Sequence, residues 1–187
     1  TNNKIIYDNL RLSHNNGIEK NPRNFKFKNL GGWYYEQQDI GFNFRMNELQ
    51  AALGVSQLKK INSFVKKRNQ IANNYKNELK DLPIRFQKIY PKTFSSYHLF
   101  IIQLLIGGET LHKKLFDFMR KNKIFVNLHY LPIHLQPFYR RKGFKKNQFP
   151  NSENYSKSAL SIPIYPNLKS YEQKKVIKLI KRFFNDI

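Results

Sequence analysis

The sequence of 187 residues contains no cysteine, which excludes disulfide bonds and thiolate chemistry. Its most apolar stretch, residues 99–106, includes Gln103 and is far shorter than the roughly 18 residues that a membrane span needs. The sequence has no G-x-x-x-x-G-K pattern, so a P-loop enzyme is not a candidate. The segment after Thr1 has no apolar signal-peptide core. We therefore expect a cytoplasmic protein that does not contact the membrane.

Acidic residues are scarce, because 12 aspartates and glutamates accompany 34 lysines and arginines, for a net charge of +22. This excess keeps a basic nucleic-acid-binding module open as an alternative function. However, the lysines are spread along the whole chain, and no helix-turn-helix, zinc-finger, RNP or KH pattern is present. Abundant Lys, Asn, Ile, Tyr and Phe are also typical of an AT-rich genome. We therefore do not expect nucleic acid to be the partner.

The spacing of apolar residues predicts three helices in the first part of the chain, at residues 3–13, 46–60 and 62–80. A long polar and aromatic loop, residues 18–45, separates the first two helices, and a loop of this length usually carries function. Pro83 interrupts the helical pattern. We predict a domain boundary at residues 81–83, between a first domain of residues 1–80 and a second of residues 83–187.

Strands and helices alternate in the second part of the chain. The predicted strands are residues 84–90, 97–106, 125–130 and 160–164. A helix at about residues 109–121 carries one apolar stripe, formed by Leu111, Leu115, Phe118 and Met119. Ser170 and Gln173 have the spacing of a capping box at the start of the last helix. These patterns predict an α/β fold in which helices cover a small sheet.

Residues 41–54 join an irregular polar and aromatic segment to an amphipathic helix. Asn43 and Arg45 lie just before the helix N-terminus, where unpaired N–H groups and the helix dipole favour negative charge. An amide donates to phosphate oxygens, and a guanidinium binds phosphate or carboxylate in a bidentate manner. The segment therefore predicts an anion site. Two other interpretations stay open: Asn43 bonds its own backbone in a turn, or Arg45 pairs with Glu48.

The same segment resembles the G-x-N-x-R-x-x-x-x-Q-A-A signature of the DegT/StrS-type nucleotide-sugar aminotransferases. Four further segments resemble this family in their order and spacing: residues 10–17, 96–100, 126–134 and 160–168. Together the segments span nearly the whole chain and are similar to the C-terminal half of these enzymes. Within the family, the sequence most resembles the UDP-4-amino-4,6-dideoxy-N-acetyl-β-L-altrosamine transaminases.

The resemblance implies the C-terminal part of a fold type I aminotransferase that uses pyridoxal 5′-phosphate (PLP). Residues 1–80 would then end the large PLP-binding domain, and residues 83–187 would form the small α/β domain. The implied reaction transfers an amino group from glutamate to the C4 keto carbon of a UDP-linked deoxy sugar, for a surface glycan of the pseudaminic acid type. The implied assembly is a homodimer with shared active sites.

In this family, the lysine that holds PLP as a Schiff base precedes the segment that matches Thr1. We therefore expect this lysine upstream of Thr1, assign no catalytic residue within the chain, and expect the chain alone to be inactive. A sugar-nucleotide-binding or regulatory relative that lacks the lysine stays open as an alternative to an enzyme.

The resemblance also implies roles for individual residues. Asn43 matches a position that reaches the PLP phosphate of the partner protomer, and Arg45 would bind the substrate diphosphate. His129, Tyr130 and His134, at a strand end and its proline-containing turn, would contact the nucleotide sugar. Two other interpretations exist: a half-buried structural His129, and a two-histidine metal site, for which no third ligand has suitable spacing. We predict no metal.

Overall fold

A computed structural model describes residues 1–186 of the chain. The chain divides into two compact units, residues 1–59 and the part that begins at Lys60. Among the helices of residues 1–186, none combines the length and the apolar character that crossing a membrane requires.

The first unit contains two helices and a short antiparallel pair of strands. Its elements are α1 (Lys4–Ser13), β1 (Ile18–Glu19), a 3-10 turn (Pro22–Asn24), β2 (Glu36–Gln37) and α2 (Glu48–Leu58). The first predicted helix is confirmed. Helix α2 begins at Glu48 because Asn47 caps it: Asn47 Oδ1 accepts a hydrogen bond from the N–H of Gln50 at 2.9 Å, and Gln50 Oε1 accepts one from the N–H of Asn47 at 3.3 Å.

A buried carboxylate organises the long loop between α1 and α2. Glu36 is only 6% exposed. Its two oxygens accept hydrogen bonds from the backbone N–H groups of Lys26 and Phe27, each at 2.7 Å. The side chains of Gln38 and Tyr34 donate to the same carboxylate at 2.7 and 3.2 Å. The loop therefore has a defined polar centre in place of an apolar core.

The second unit places helices around a three-stranded antiparallel sheet with the order β3-β4-β5. Its elements are α3 (Ile61–Leu79), β3 (Ile84–Phe86), β4 (Phe100–Leu104), α4 (Gly108–Lys121), a 3-10 turn (Ile133–Leu135), α5 (Pro137–Arg141), α6 (Pro150–Ser156), β5 (Ala159–Ile162) and α7 (Ser170–Asn185). In the central strand β4, alternate residues are buried: Phe100, Ile102 and Leu104. They join a core to which α4 contributes Leu115 and α7 contributes Ile180.

One predicted strand does not form. Within residues 125–130, only Asn127 pairs with the sheet, through an isolated antiparallel bridge to Ser161. The next N–H along the chain, that of Leu128, donates to the side chain of Asn127 at 2.9 Å. This local bond takes the backbone out of the ladder, as asparagine side chains often do.

The predicted capping box of the last helix is also wrong. Lys169 is the cap residue, and its N–H donates to Glu172 Oε2 at 2.8 Å. Gln173 is instead buried, and its Nε2 donates to the carbonyl oxygen of Ile71 at 2.8 Å. Burial of the amide in a contact between α3 and α7 thus outweighs the local capping pattern.

The compact units divide earlier than the predicted domain boundary. Helix α3 was assigned to the first domain, but it buries Ile71, Ala72, Tyr75 and Leu79 in the core of the second unit. Tyr75 packs against Phe100 of β4, and α3 belongs to the second compact unit. The assignment of residues 1–80 to a large domain and 83–187 to a small one stays a prediction.

Candidate functional site

Two backbone segments of the first unit cross so closely that glycine is required in both. The N–H of Asn16 donates to the carbonyl oxygen of Phe42 at 2.8 Å, and the N–H of Phe42 donates to the carbonyl oxygen of Ser13 at 2.6 Å. Gly17 has a φ of +70°, and a Cβ there would overlap the carbonyl oxygen of Asp39. A Cβ at Gly41 would overlap the backbone nitrogen of Gly17. The crossing fixes the backbone on which Asn43 and Arg45 stand.

Asn43 and Arg45 are exposed and bonded to each other. Arg45 Nε donates to Asn43 Oδ1 at 2.6 Å. Since the amide oxygen accepts this bond, the amide NH₂ and the remaining guanidinium N–H groups are the donors that the pair offers. No ion pair joins Arg45 to Glu48 within residues 1–186. A donor set of this kind, with no carboxylate bonded to it, suits a phosphate group.

His129 and Tyr130 lie in the second unit, just after the bridge to the sheet. His129 is half-buried, and its Nδ1 lies 2.8 Å from Ser161 Oγ. Its carbonyl oxygen accepts a hydrogen bond from the hydroxyl of Tyr155 at 3.4 Å. Tyr130 is 72% exposed, with its ring edge-on to that of His129 at a centroid distance of 4.7 Å. An imidazole held on one side thus adjoins an exposed phenol.

His134 is buried in the second unit beside an acidic side chain, and its contact with the nucleotide sugar stays a prediction. Its side chain is 8% exposed, and its Nε2 lies 2.9 Å from Glu153 Oε1. The N–H of Asn147 donates to the same oxygen at 2.7 Å. The hydrogen bond from His134 holds the pKa of Glu153 below its ordinary value, with help from the N–H groups of Asn147 and Phe149 and against the effect of burial. This contact positions the loop and occupies the imidazole inside the unit.

The structure brings the predicted residues together as two pairs, Asn43 with Arg45 and His129 with Tyr130, in separate compact units. Sequence reasoning missed three residues that contact the predicted histidines: Tyr155 and Ser161 at His129, and Glu153 at His134. Glu153 was recognisable, because it is the single acidic residue of the very basic stretch 135–157. Ser161 and Tyr155 gave no such signal, since their contacts depend on the tertiary fold.

The model of the DegT/DnrJ/EryC1/StrS aminotransferase family matches residues 1–181. The chain is similar to the spore coat polysaccharide biosynthesis protein SpsC of Bacillus subtilis, with 29% identity over 97% of this chain and 47% of the relative. It is 31% identical to GDP-perosamine synthase of Vibrio cholerae, over 100% of this chain and 48% of the relative. It is also 31% identical to the UDP-4-amino-4,6-dideoxy-N-acetyl-β-L-altrosamine transaminase of Campylobacter jejuni, over 93% of this chain and 44% of the relative. The chain thus spans about half the length of the curated relatives it matches.

Solved structures show the same fold. The aminotransferase PseC of Helicobacter pylori, described as involved in the biosynthesis of pseudoaminic acid, superposes with a TM-score of 0.82 and 28% identity, over 100% of this chain and 48% of that chain. The PMP-form of the putative sugar aminotransferase Spr1654 of Streptococcus pneumoniae superposes with a TM-score of 0.84 and 21% identity, over 100% and 46% of the two chains. These similarities confirm the expected fold, the C-terminal part of a fold type I aminotransferase.

Proposed function

The chain belongs to the DegT/DnrJ/EryC1/StrS aminotransferase family, and from this premise we propose that it is the C-terminal half of a cytoplasmic, PLP-dependent nucleotide-sugar aminotransferase. The observation that carries the proposal is the family match over residues 1–181, nearly the whole chain. We assign the lysine that binds PLP to the half of the relatives' length that this chain does not span. The chain alone is then inactive.

The substrate proposed is a UDP-linked deoxy sugar with a keto group at C4, and the amino donor proposed is glutamate. Support comes from the transaminase of C. jejuni and from PseC, whose names refer to a UDP-linked amino sugar and to pseudoaminic acid. The product would serve a surface glycan of the pseudaminic acid type. GDP-perosamine synthase is equally similar, so a GDP-linked sugar is the comparison substrate for the test.

The exposed donors of the first unit suit the phosphate groups of this chemistry. Asn43 would donate its amide hydrogens to the phosphate of PLP in the partner protomer of a homodimer, and Arg45 would bind the substrate diphosphate. His129 and Tyr130 would contact the sugar nucleotide, and His134 would position their loop through Glu153. PLP, when bound, supplies the electron sink for moving an amino group, while these residues bind and orient.

The test uses the whole protein that contains this chain, incubated with PLP, glutamate and either UDP- or GDP-linked 4-keto sugars. We expect mass spectrometry to detect a 4-amino sugar on the UDP-linked substrate. The absence of any amino product on every nucleotide sugar would contradict the proposed reaction. Sugar-nucleotide binding without the PLP absorbance band would instead favour the relative that lacks the lysine.

Asn43→Ala tests the cofactor role separately. Losing one hydrogen bond to a charged phosphate predicts roughly ten- to hundredfold weaker PLP retention in an absorbance titration. The matched control is Asn73→Ala, which removes an exposed amide from α3 in the second unit and is expected to leave PLP affinity unchanged. Equal PLP affinity in the wild type and Asn43→Ala would refute the role of Asn43.

A further inference from the structure

The number of hydrogen-bond partners available to Ser161 indicates whether Ser161 or His129 donates in the bond between them. Ser161 is 7% exposed, and His129 Nδ1, at 2.8 Å, is the one partner that the described residues provide for its hydroxyl. If Nδ1 carried the hydrogen and donated it, the serine hydroxyl hydrogen would be buried without an acceptor. If the serine donates, its hydrogen is satisfied and only oxygen lone pairs remain unused. An unpaired buried donor costs more than an unused lone pair, so the second arrangement is favoured.

We propose that Ser161 is a positioning residue that donates to His129 Nδ1 and so holds the neutral imidazole in its Nε2–H tautomer. The remaining ring nitrogen of His129 is then a hydrogen-bond donor. It neither accepts a proton from a substrate nor coordinates a metal while in this form. The group that it recognises must therefore present an acceptor, such as a phosphate, carbonyl or hydroxyl oxygen.

The backbone around this contact makes the arrangement rigid. The N–H of Ser161 donates to the carbonyl oxygen of Asn127 at 2.8 Å, and the N–H of Asn127 donates to the carbonyl oxygen of Ser161 at 3.2 Å. The hydroxyl of Tyr155 holds the carbonyl oxygen of His129. Two backbone bonds thus tie Asn127 to β5, and the hydroxyl of Tyr155 in α6 holds His129 itself. The serine side chain then selects the tautomer.

The proposal rests on the proposed function where it names the ligand: His129 Nε2–H would donate to an oxygen of the nucleotide sugar. It predicts that Ser161→Ala weakens substrate binding and leaves the chemical step unaffected. We expect KM for the UDP-linked 4-keto sugar to rise roughly tenfold, with kcat changed less than twofold. Ser161→Thr retains the hydroxyl and is expected to restore KM.

The decisive measurement does not require activity. In the whole protein with ¹⁵N-labelled histidine, a two-bond ¹H–¹⁵N spectrum at a pH where the imidazole is neutral reports which ring nitrogen of His129 carries the hydrogen. We expect Nε2–H in the wild type and a mixture of tautomers in Ser161→Ala. The matched control is Ser158→Ala, which removes another buried hydroxyl, one bonded to Gln103 and Asn154 and not to His129.

A wild-type protein with hydrogen on Nδ1 would overturn the proposal, as would an unchanged tautomer in Ser161→Ala. Either result leaves the proposed aminotransferase function standing. If the tautomer behaves as expected and no nucleotide sugar is transaminated, the positioning role of Ser161 holds and the proposed function fails. The wild-type spectrum alone decides the tautomer, so the test survives even if Ser161→Ala does not fold.

Discussion

Different interactions stabilise the interior of each of the two compact units of this chain. Within residues 1–59, all of which the structure describes, only Gly17 and Glu36 are buried, and neither has an apolar side chain. The second unit buries a continuous apolar core that begins at Ile71 and extends to Phe183. The first unit therefore depends on backbone crossings and a hydrogen-bonded carboxylate, whereas the second depends on burial of apolar surface.

Helix α2 makes the contrast clear. Leu49, Leu53 and Leu58 are 84%, 62% and 66% exposed. These residues do not lie on one stripe, so α2 lacks the single buried apolar face of an ordinary surface helix. Because hydrogen bonds contribute little net stability beside apolar burial, the first unit lacks its main source of stability within residues 1–59. We therefore expect the first unit to be the less stable of the two when each is isolated.

The largest expected effect separates the two units completely. Residues 60–187, expressed alone, should unfold cooperatively in urea, because they retain the whole apolar core. Residues 1–59, expressed alone, should show no cooperative transition by circular dichroism. A cooperative transition in residues 1–59 would show that the first unit is stable without a buried apolar core.

A pair of leucine substitutions compares the contribution of one buried and one exposed leucine to the free energy of unfolding. Leu115 is 0% exposed, and Leu115→Ala should lower the free energy of unfolding of residues 60–187 by about 2–5 kcal/mol. Leu53 is 62% exposed, and Leu53→Ala should change the stability of the 187-residue chain by less than about 0.5 kcal/mol. Urea titration measures both values. Equal effects would mean that α2 is covered by the chain itself.

Two glycine substitutions are expected to change stability in opposite directions. Gly17→Ala places a Cβ against Asp39 at positive φ and should destabilise the crossing by more than about 1 kcal/mol. Gly54 lies within α2 with no atom within 4 Å of its Cβ position, so Gly54→Ala should stabilise the helix by about 0.5–1 kcal/mol. Hydrogen exchange of the Asn16 and Phe42 amides in the whole protein reports the first effect. Unchanged exchange in Gly17→Ala would show that the crossing tolerates a side chain.

How far the sequence predicts the fold differs between the units for the same physical reason. In the second unit, periodicity marks burial: Leu111, Leu115 and Met119 of the predicted stripe are all buried. In the first unit no apolar side chain is buried, so the spacing of apolar residues does not reveal that the loop between α1 and α2 is organised by Glu36. Hydrogen bonds between side chains and distant backbone, as at Glu36, have no sequence period.

The candidate site shows the same limit. Asn43 and Arg45 were recognisable because they lie two residues apart before a helix, and their hydrogen bond is local. The partner of His134 is nineteen residues away in α6, and that of His129 is thirty-two residues away in β5. Residue type and spacing therefore identified these histidines without revealing that His134 is buried against Glu153, whereas His129 is half-buried beside Ser161.

The smallest expected effect concerns the carboxylate centre of the first unit. Burial raises the pKa of Glu36, but hydrogen bonds from Lys26, Phe27, Gln38 and Tyr34 lower it by a larger amount. The net pKa therefore lies below its ordinary value. As pH falls, the unfolded loop therefore takes up a proton before the folded loop does. The stabilisation from Glu36 is complete above the ordinary glutamate pKa and is lost as pH falls through the folded value.

We therefore expect the Lys26 and Phe27 amides, which donate to Glu36, to lose protection from hydrogen exchange by a few-fold in this acidic range, after correction for the intrinsic pH dependence of exchange. Glu36→Gln should show the lower protection already at neutral pH and no further loss on acidification, because it has no carboxylate to protonate. Amides of the apolar core, such as that of Ile102, are the internal control, since no carboxylate accepts their hydrogen bonds. If Glu36→Gln kept the wild-type pH dependence, the loop would owe its order to something other than this carboxylate, and the contrast between a polar-centred unit and an apolar-centred unit would fail at its polar end.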